Sequence, residues 1–323
     1  MKYLGIQTQI RRNNQRSALL LILFPVLLVA LSWLFFFLLE LLVASNSERP
    51  DQGVNIDGVN YLFLNALPFV VLACGLWFVI AYFSHTSMIN KATSAHSLSR
   101  KENMRVYNLV ENLCMSQGMT MPKINVIEDD SLNAFASGIN EKTYTVTLSR
   151  GIINKLNDEE LEGVIAHELT HIRNRDVRLL IVSIIFVGIF AFLTEMAMRS
   201  VRYGALSGGG NNRNKNNNNI IIILLILVLA AIGYLISMVM RFAISRNREY
   251  MADAGAVEMT KRPEALASAL RKISGDPRIE AVTREDVAQL FIENALDKKP
   301  SFFGKLFATH PPIEERIRVL EAF

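Results

Sequence analysis

Two histidines four residues apart enclose a glutamate in the stretch His167-Glu168-Leu169-Thr170-His171. On an α-helix, residues i and i+4 lie on one face. His167 and His171 can therefore hold one metal ion between them, and Glu168 can act as general base on a water at that ion. The pattern is short enough to arise by chance, so its surroundings decide how it is read. They are those of an amphipathic helix. Asn157 stands at the helix start with Glu160 three residues on, the arrangement of a capping box. At 100° per residue, Val164, Ile165, Leu169 and Ile172 fall within about 80° of Leu161 and form the apolar face. Glu159, Glu162, Thr170 and Arg173 gather opposite, on the side expected to be wet. His167 and His171 lie on the edge of the apolar face, and Glu168 falls inside the apolar half. A glutamate aimed at a core needs a reason, and activating a metal-held water supplies one.

A catalytic zinc takes three protein ligands and leaves a position for water. Glu249, in Arg246-Asn-Arg-Glu-Tyr-Met-Ala-Asp253, is a candidate for the third. Asp253, four residues on, shares its helical face and can accept the second N–H of a ligand histidine. On spacing alone, these residues equally fit an ordinary helix laced with salt bridges to Arg246 and Arg248. Tyr144, Val146 and Leu148 alternate with threonines and predict a strand. A turn at Gly138-Ile-Asn-Glu141 would pair it with Asn133-Ala-Phe-Ala136 as a hairpin. Its edge either receives an extended peptide by strand addition or is simply structural. His310, before two prolines, reads by itself as a loop residue. Ile313, Ile317 and Leu320 recur at helical spacing, so Arg316 sits on an amphipathic helix, where it can be merely solvated. His85 and His96 have no partner at ligand spacing and read as polar surface.

The elements that must position these residues are interrupted by long apolar runs. The uncharged stretches are Ala18–Leu39 with 22 residues, Tyr61–Phe83 with 23 and Ile220–Met240 with 21, while Leu179–Met198 is uncharged for its first 16. Each of the first three can cross a hydrocarbon core of about 30 Å as a helix, and the fourth is a weaker candidate. The first run is too long for the apolar part of a signal peptide, and no small-x-small site follows it cleanly, so it reads as an anchor. These runs account for a hydrophobic fraction of 51% in 323 residues and for a mean hydropathy of +0.25. Such apolar content excludes a disordered chain, and 2 cysteines exclude a disulfide scaffold. A net charge of +4 is too mild to argue for a nucleic-acid partner.

Lys2, Arg11, Arg12 and Arg16 precede the first run, whereas the loop after it holds only Arg49 among basic residues. The positive-inside rule therefore puts the N-terminus in the cytoplasm, and two crossings return the chain there. Arg199, Arg202, Arg213 and Lys215, between the last two runs, oppose that assignment. Gly208–Asn219 there is Asn-rich and low in complexity. The expected organisation is a cytoplasmic N-terminus over 1–17 and two membrane helices over 18–83. A first half-domain with the histidine motif follows over 84–178, then a hydrophobic hairpin over 179–240 and a second half-domain over 241–323. The fold class expected is a mainly α membrane protein with about four transmembrane helices. They would carry an α+β zincin-like metalloprotease domain with a small β-sheet.

The ordered set of HELTH, Glu249-x-x-x-Asp253, an upstream Asn133-Ala-Phe-Ala136 and a closing ATHPPIEERIRVL resembles the HtpX family of bacterial membrane zinc metalloproteases, which is related to the CAAX prenyl proteases. The resemblance spans nearly the whole chain. It implies that His167, His171 and Glu249 hold one Zn2+, that Glu168 is the general base, and that Asp253 supports a ligand histidine, His167. It also implies that Asn133, Ala134, Phe135 and Ala136 form an edge strand lining the cleft. His310 would stabilise the oxyanion, with Arg316 beside it. The implied activity is endopeptidase cleavage of damaged or misfolded membrane proteins under stress, at the bacterial inner membrane with the catalytic domain facing the cytoplasm. The implied partners are unfolded or membrane-protein substrates and the lipid bilayer. Two other readings stay open on sequence: an inactive zinc-binding membrane scaffold, and a CAAX-type processing protease, against which the small number of membrane runs argues.

Overall fold

The computed structural model describes residues 6–45, 53–206, 223–236, 247–275, 291 and 311–323. His310, Arg246 and the Asn-rich stretch Gly208–Asn219 lie outside the described residues. The chain divides into two compact units, one of Met1–Ser17, Ser84–Ile184 and Phe242–Phe323, the other of Ala18–Phe83 and Ile185–Arg241.

The second unit is built from the apolar runs. Helix α1 spans Ile6–Ser45 and α2 spans Ile56–Thr93. Helix α6 spans Asp176–Leu206, and α7 spans Ile223–Ile236. A helix satisfies its own backbone, so an uncharged run can leave water without stranding polar groups. Among the described residues, three helices are long and apolar enough to cross a membrane: Ile10–Ala44, Ile56–Thr93 and Asp176–Met196. The run expected over 220–240 is described as the shorter helix α7. Phe69, Leu72 and Phe83 are 73%, 69% and 78% exposed, as side chains facing lipid rather than protein are. Within the unit, the Phe24 and Phe190 rings meet edge to face at 5.4 Å. Trp77 Nε1 donates to the Ile185 carbonyl at 3.2 Å.

The first unit combines a four-stranded sheet with helices. Its strands are β1 (His96–Ser97), β2 (Lys123–Ile127), β3 (Ala134–Ser137) and β4 (Thr145–Ser149), in the order β1-β2-β4-β3. β2 and β4 are parallel, and the other pairs are antiparallel. β3 and β4 form the hairpin expected from the alternation at 144–148, with β3 at the sheet edge. Both faces of β4 are covered, so Thr145 and Thr147 are buried along with Val146 and Leu148. Along its outer side, among the described residues, β3 forms an antiparallel bridge between Phe135 and Phe291.

Around the sheet lie α3 (Met104–Gln117), α4 (Arg150–Lys155), α5 (Asp158–Arg173), α8 (Asn247–Thr260), α9 (Pro263–Ile273) and α10 (Ile313–Leu320). Helix α5 begins with the predicted capping box: Asn157 Oδ1 accepts from the Glu160 N–H, and the Glu160 carboxylate accepts from the Asn157 N–H. Glu160 then reaches α9, accepting from Ser268 Oγ and Lys272 Nζ, each at 2.7 Å. Arg105 of α3 fixes the approach to α5 by donating to the carbonyls of Ile153 and Leu156, each at 2.7 Å.

Two glycines allow helices to meet closely around α5. A Cβ on Gly163 would lie 3.3 Å from Leu266 Cα of α9, and one on Gly255 of α8 would lie 2.5 Å from Thr170 Cγ2. The second contact corrects the expected wet face. Thr170 is fully buried, because α8 covers the side of α5 that periodicity left to solvent. His85 is likewise buried at 5% exposure, not on the surface, whereas His96 is exposed and lies 3.3 Å from Glu128.

Candidate metal centre

Helix α5 presents His167 and His171 to α8, which brings Glu249 from its first turn. Among the described residues, these three form the one cluster whose ligand atoms all lie within 4.8 Å of one another. The two Nε2 atoms are 3.2 Å apart, with the rings nearly perpendicular at 88°. Glu249 Oε2 lies 3.7 Å from His167 Nε2, and Oε1 lies 3.8 Å from His171 Nε2. Two imidazoles and a carboxylate converge on one point, which is what a borderline-soft divalent cation requires.

Each histidine has a carboxylate behind it. Asp253 Oδ1 is 2.9 Å from His167 Nδ1, and Asp176 Oδ2 is 3.2 Å from His171 Nδ1. A carboxylate at Nδ1 fixes the tautomer that leaves Nε2 free to bind. Asp253 is in turn gripped by Arg316 of α10, which donates through Nε to Oδ2 at 2.9 Å and through Nη2 to Oδ1 at 2.7 Å. Arg316 is fully buried rather than solvated on its helix. Its Nη1 also lies 3.8 Å from Glu249 Oε2. Burial opposes ionisation of Asp253, but the Arg316 charge and hydrogen bonds outweigh it and hold the carboxyl at about 2. Glu249 and Asp253 thus face Arg316 from buried positions, not from a surface.

Burial disfavours a charged His171, yet Glu249 and Asp176 raise its pKa to about 10. His167 is also raised, with Asp253 and Glu249 overcoming burial and the Arg316 charge. Surroundings that favour a proton on both rings also favour a cation there. Glu168 is 2% exposed. Burial raises its pKa, against the charges of His167 and His171, which lower it. In β3, Ala134, Phe135 and Ala136 are all buried, and the Ala134 N–H is taken up by Asn133 Oδ1 at 3.0 Å.

Sequence reasoning missed Asp176. An aspartate opening an apolar helix reads as a favourable charge on the helix dipole, and only the turn between α5 and α6 points it back at His171. Arg175 makes that turn with φ 60°. Asn13, which reaches Asp176 from the start of α1, carried no signal at all.

Residues 100–323 match the family model described as peptidase family M48. The chain is 61% identical to a protease HtpX homolog of Bacteroides fragilis, covering 100% of both chains. It is 42% identical to one from Listeria monocytogenes, over 80% of this chain and 87% of that one. A Lactobacillus helveticus protease HtpX homolog is 33% identical over 97% and 98% of the two chains. Among solved structures, the crystal structure of S. mikatae Ste24p aligns with a TM-score of 0.44 and 17% identity, covering 97% of this chain and 66% of that one. The sequence matches by themselves carry the assignment. Two helix-borne histidines and a distant glutamate meet at one point, in a chain with membrane-long apolar helices, and so fit the family that those matches identify: this chain belongs to peptidase family M48, among the HtpX membrane metalloproteases.

Proposed function

We propose that the chain is a zinc-dependent endopeptidase of the bacterial inner membrane. Its catalytic residues face the cytoplasm and cut peptide bonds in damaged or misfolded proteins, membrane proteins among them. The observation that carries this reading is the convergence of His167, His171 and Glu249 beside the buried Glu168. Zinc ligands at about 2.0–2.1 Å in a tetrahedron stand roughly 3.3 Å from one another. The donor separations of 3.2, 3.7 and 3.8 Å are close to that edge. His167 and His171 would bind through Nε2 and Glu249 through its carboxylate. When bound, zinc polarises a carbonyl and makes a water acidic near neutral pH.

The chain's own groups supply the rest. Glu168, whose pKa burial raises, accepts the proton of the attacking water and delivers it to the leaving amine. Asp253 and Asp176 hold the two imidazoles in the tautomer that binds through Nε2. Arg316 holds Asp253 with two parallel hydrogen bonds, so that His167 cannot swing. Asn133–Ala136 is the segment against which an extended substrate would lie as an added strand, taking the place of the Phe291 bridge to Phe135. His310 is assigned to the oxyanion on family resemblance. The basic residues before Ala18 support the cytoplasmic placement.

The test is cleavage of an unfolded protein by the zinc-loaded enzyme in detergent, comparing wild type with Glu168→Gln. Turnover should fall at least 100-fold, a typical share for a general base, with zinc content unchanged. Equal cleavage by both would sink the assignment of Glu168. Zinc bound in full with no cleavage by either would favour a scaffold.

A further inference from the structure

We propose that Asn13, near the start of α1, is a positioning residue of the metal centre, acting through Asp176 on His171. The inference rests on the metal-centre reading above and extends it to a segment whose sequence suggested only a topology signal. Asn13 is 2% exposed, although it lies among Arg11, Arg12 and Arg16. Its side-chain amide donates twice, to Asp176 Oδ1 at 2.6 Å and to the Asn174 carbonyl at 2.9 Å. Asp176 is 1% exposed, and its other oxygen, Oδ2, faces His171 Nδ1 at 3.2 Å. The two oxygens of this buried carboxylate are thus divided, one to the histidine and one to Asn13. Asn174 is the C-cap of α5, the helix that carries both histidines. One amide therefore fixes the end of the ligand-bearing helix and the rotation of the carboxylate that orients its second ligand.

The consequence of removing it follows from burial. Without the Asn13 donor, Oδ1 of Asp176 loses its hydrogen bond where water does not easily replace it. The carboxylate is then free to turn away from His171 to find another donor. The neighbouring Asn14 offers a contrast within the same segment: its Oδ1 accepts from Arg175 Nη1 at 3.3 Å in an exposed setting.

The experiment measures zinc affinity of the full-length protein in detergent by competition with a chelator, using zinc alone and no substrate. The variants are Asn13→Ala, Asp176→Ala, the double variant, and Asn14→Ala as control. Asn13→Ala should weaken zinc binding by about 10-fold, no more than Asp176→Ala itself, because it acts through that carboxylate. Asn14→Ala should not change it. In the Asp176→Ala background, Asn13→Ala should have no further effect, because its route to the metal is already gone. A purely structural role would instead add its full effect in both backgrounds, and that additivity overturns the proposal, as does unchanged affinity in Asn13→Ala. If that variant does not fold, the same cycle is run with Asn13→Ser, which keeps a shorter donor. A wild type that binds no zinc would overturn the metal-centre reading itself, whereas a zinc-binding wild type with an insensitive Asn13 overturns this inference alone.

Discussion

The two histidines are held by the same device in two different strengths. Behind His167 stands Asp253 at 2.9 Å, itself clamped by the two-pronged guanidinium of Arg316, and all three are at most 2% exposed. Behind His171 stands Asp176 at 3.2 Å, steadied by the neutral amide of Asn13, and the His171 side chain is 13% exposed. The first arm is a buried ionic relay whose parts come from α8 and α10. The second is a hydrogen-bonded relay whose parts come from the turn after α5 and from the start of α1. A buried charge is costly unless paired, so the first arm is rigid but intolerant of change. The second spends less on desolvation and should yield more gently.

The sharpest way to break this comparison is Arg316→Met, which keeps the bulk and removes the charge. It leaves Asp253 buried without its guanidinium and should cost about 3–5 kcal/mol, read by denaturant unfolding in detergent. A loss below about 1 kcal/mol would show that the first arm is not an ionic anchor. Next in size is Gly255→Val. The new side chain would meet Thr170 and push α8 from α5, costing about 1–3 kcal/mol. It should disturb Glu249 and Asp253 while sparing Asp176, so the mutant should lose zinc affinity although no ligand is altered.

A direct contrast comes from removing each carboxylate. Asp253→Ala should weaken zinc binding about 100-fold and Asp176→Ala about 10-fold, the two ends of the range for such partners. Equal losses would erase the distinction between the arms. The smallest effect concerns pH. Asp253 is depressed from 3.8 to about 2, so its contribution to stability is complete above its ordinary pKa and disappears as pH falls from about 4 to about 2. Metal-free wild type should lose stability across that window, and Asp253→Asn should show a flatter slope there. A parallel slope in the variant would mean that other carboxylates dominate.

The helical period placed His167, Glu168 and His171 on one side of α5, and i,i+4 spacing paired Glu249 with Asp253. Alternation at 144–148 found β4, and its neighbour β3 followed from the turn at Gly138. These are local regularities, legible because backbone geometry repeats along a helix or strand. The same wheel misassigned Thr170 to solvent, because a wheel knows one face of a helix and not a second helix packed on the other. Arg316 looked like a solvated helix residue for the same reason. Its pairing with Asp253 joins residues 63 apart, and Asn13 meets Asp176 across 163.

By itself the sequence determined the chemistry available to this protein: which side chains can bind a metal, which can move a proton, and which runs are apolar enough for a bilayer. That much follows from residue type and local period. Only the tertiary structure decided which carboxylate stands behind which histidine and what holds each carboxylate still. Those choices depend on long-range burial, where an unpaired polar group is costly and the fold must bring a distant partner to meet it.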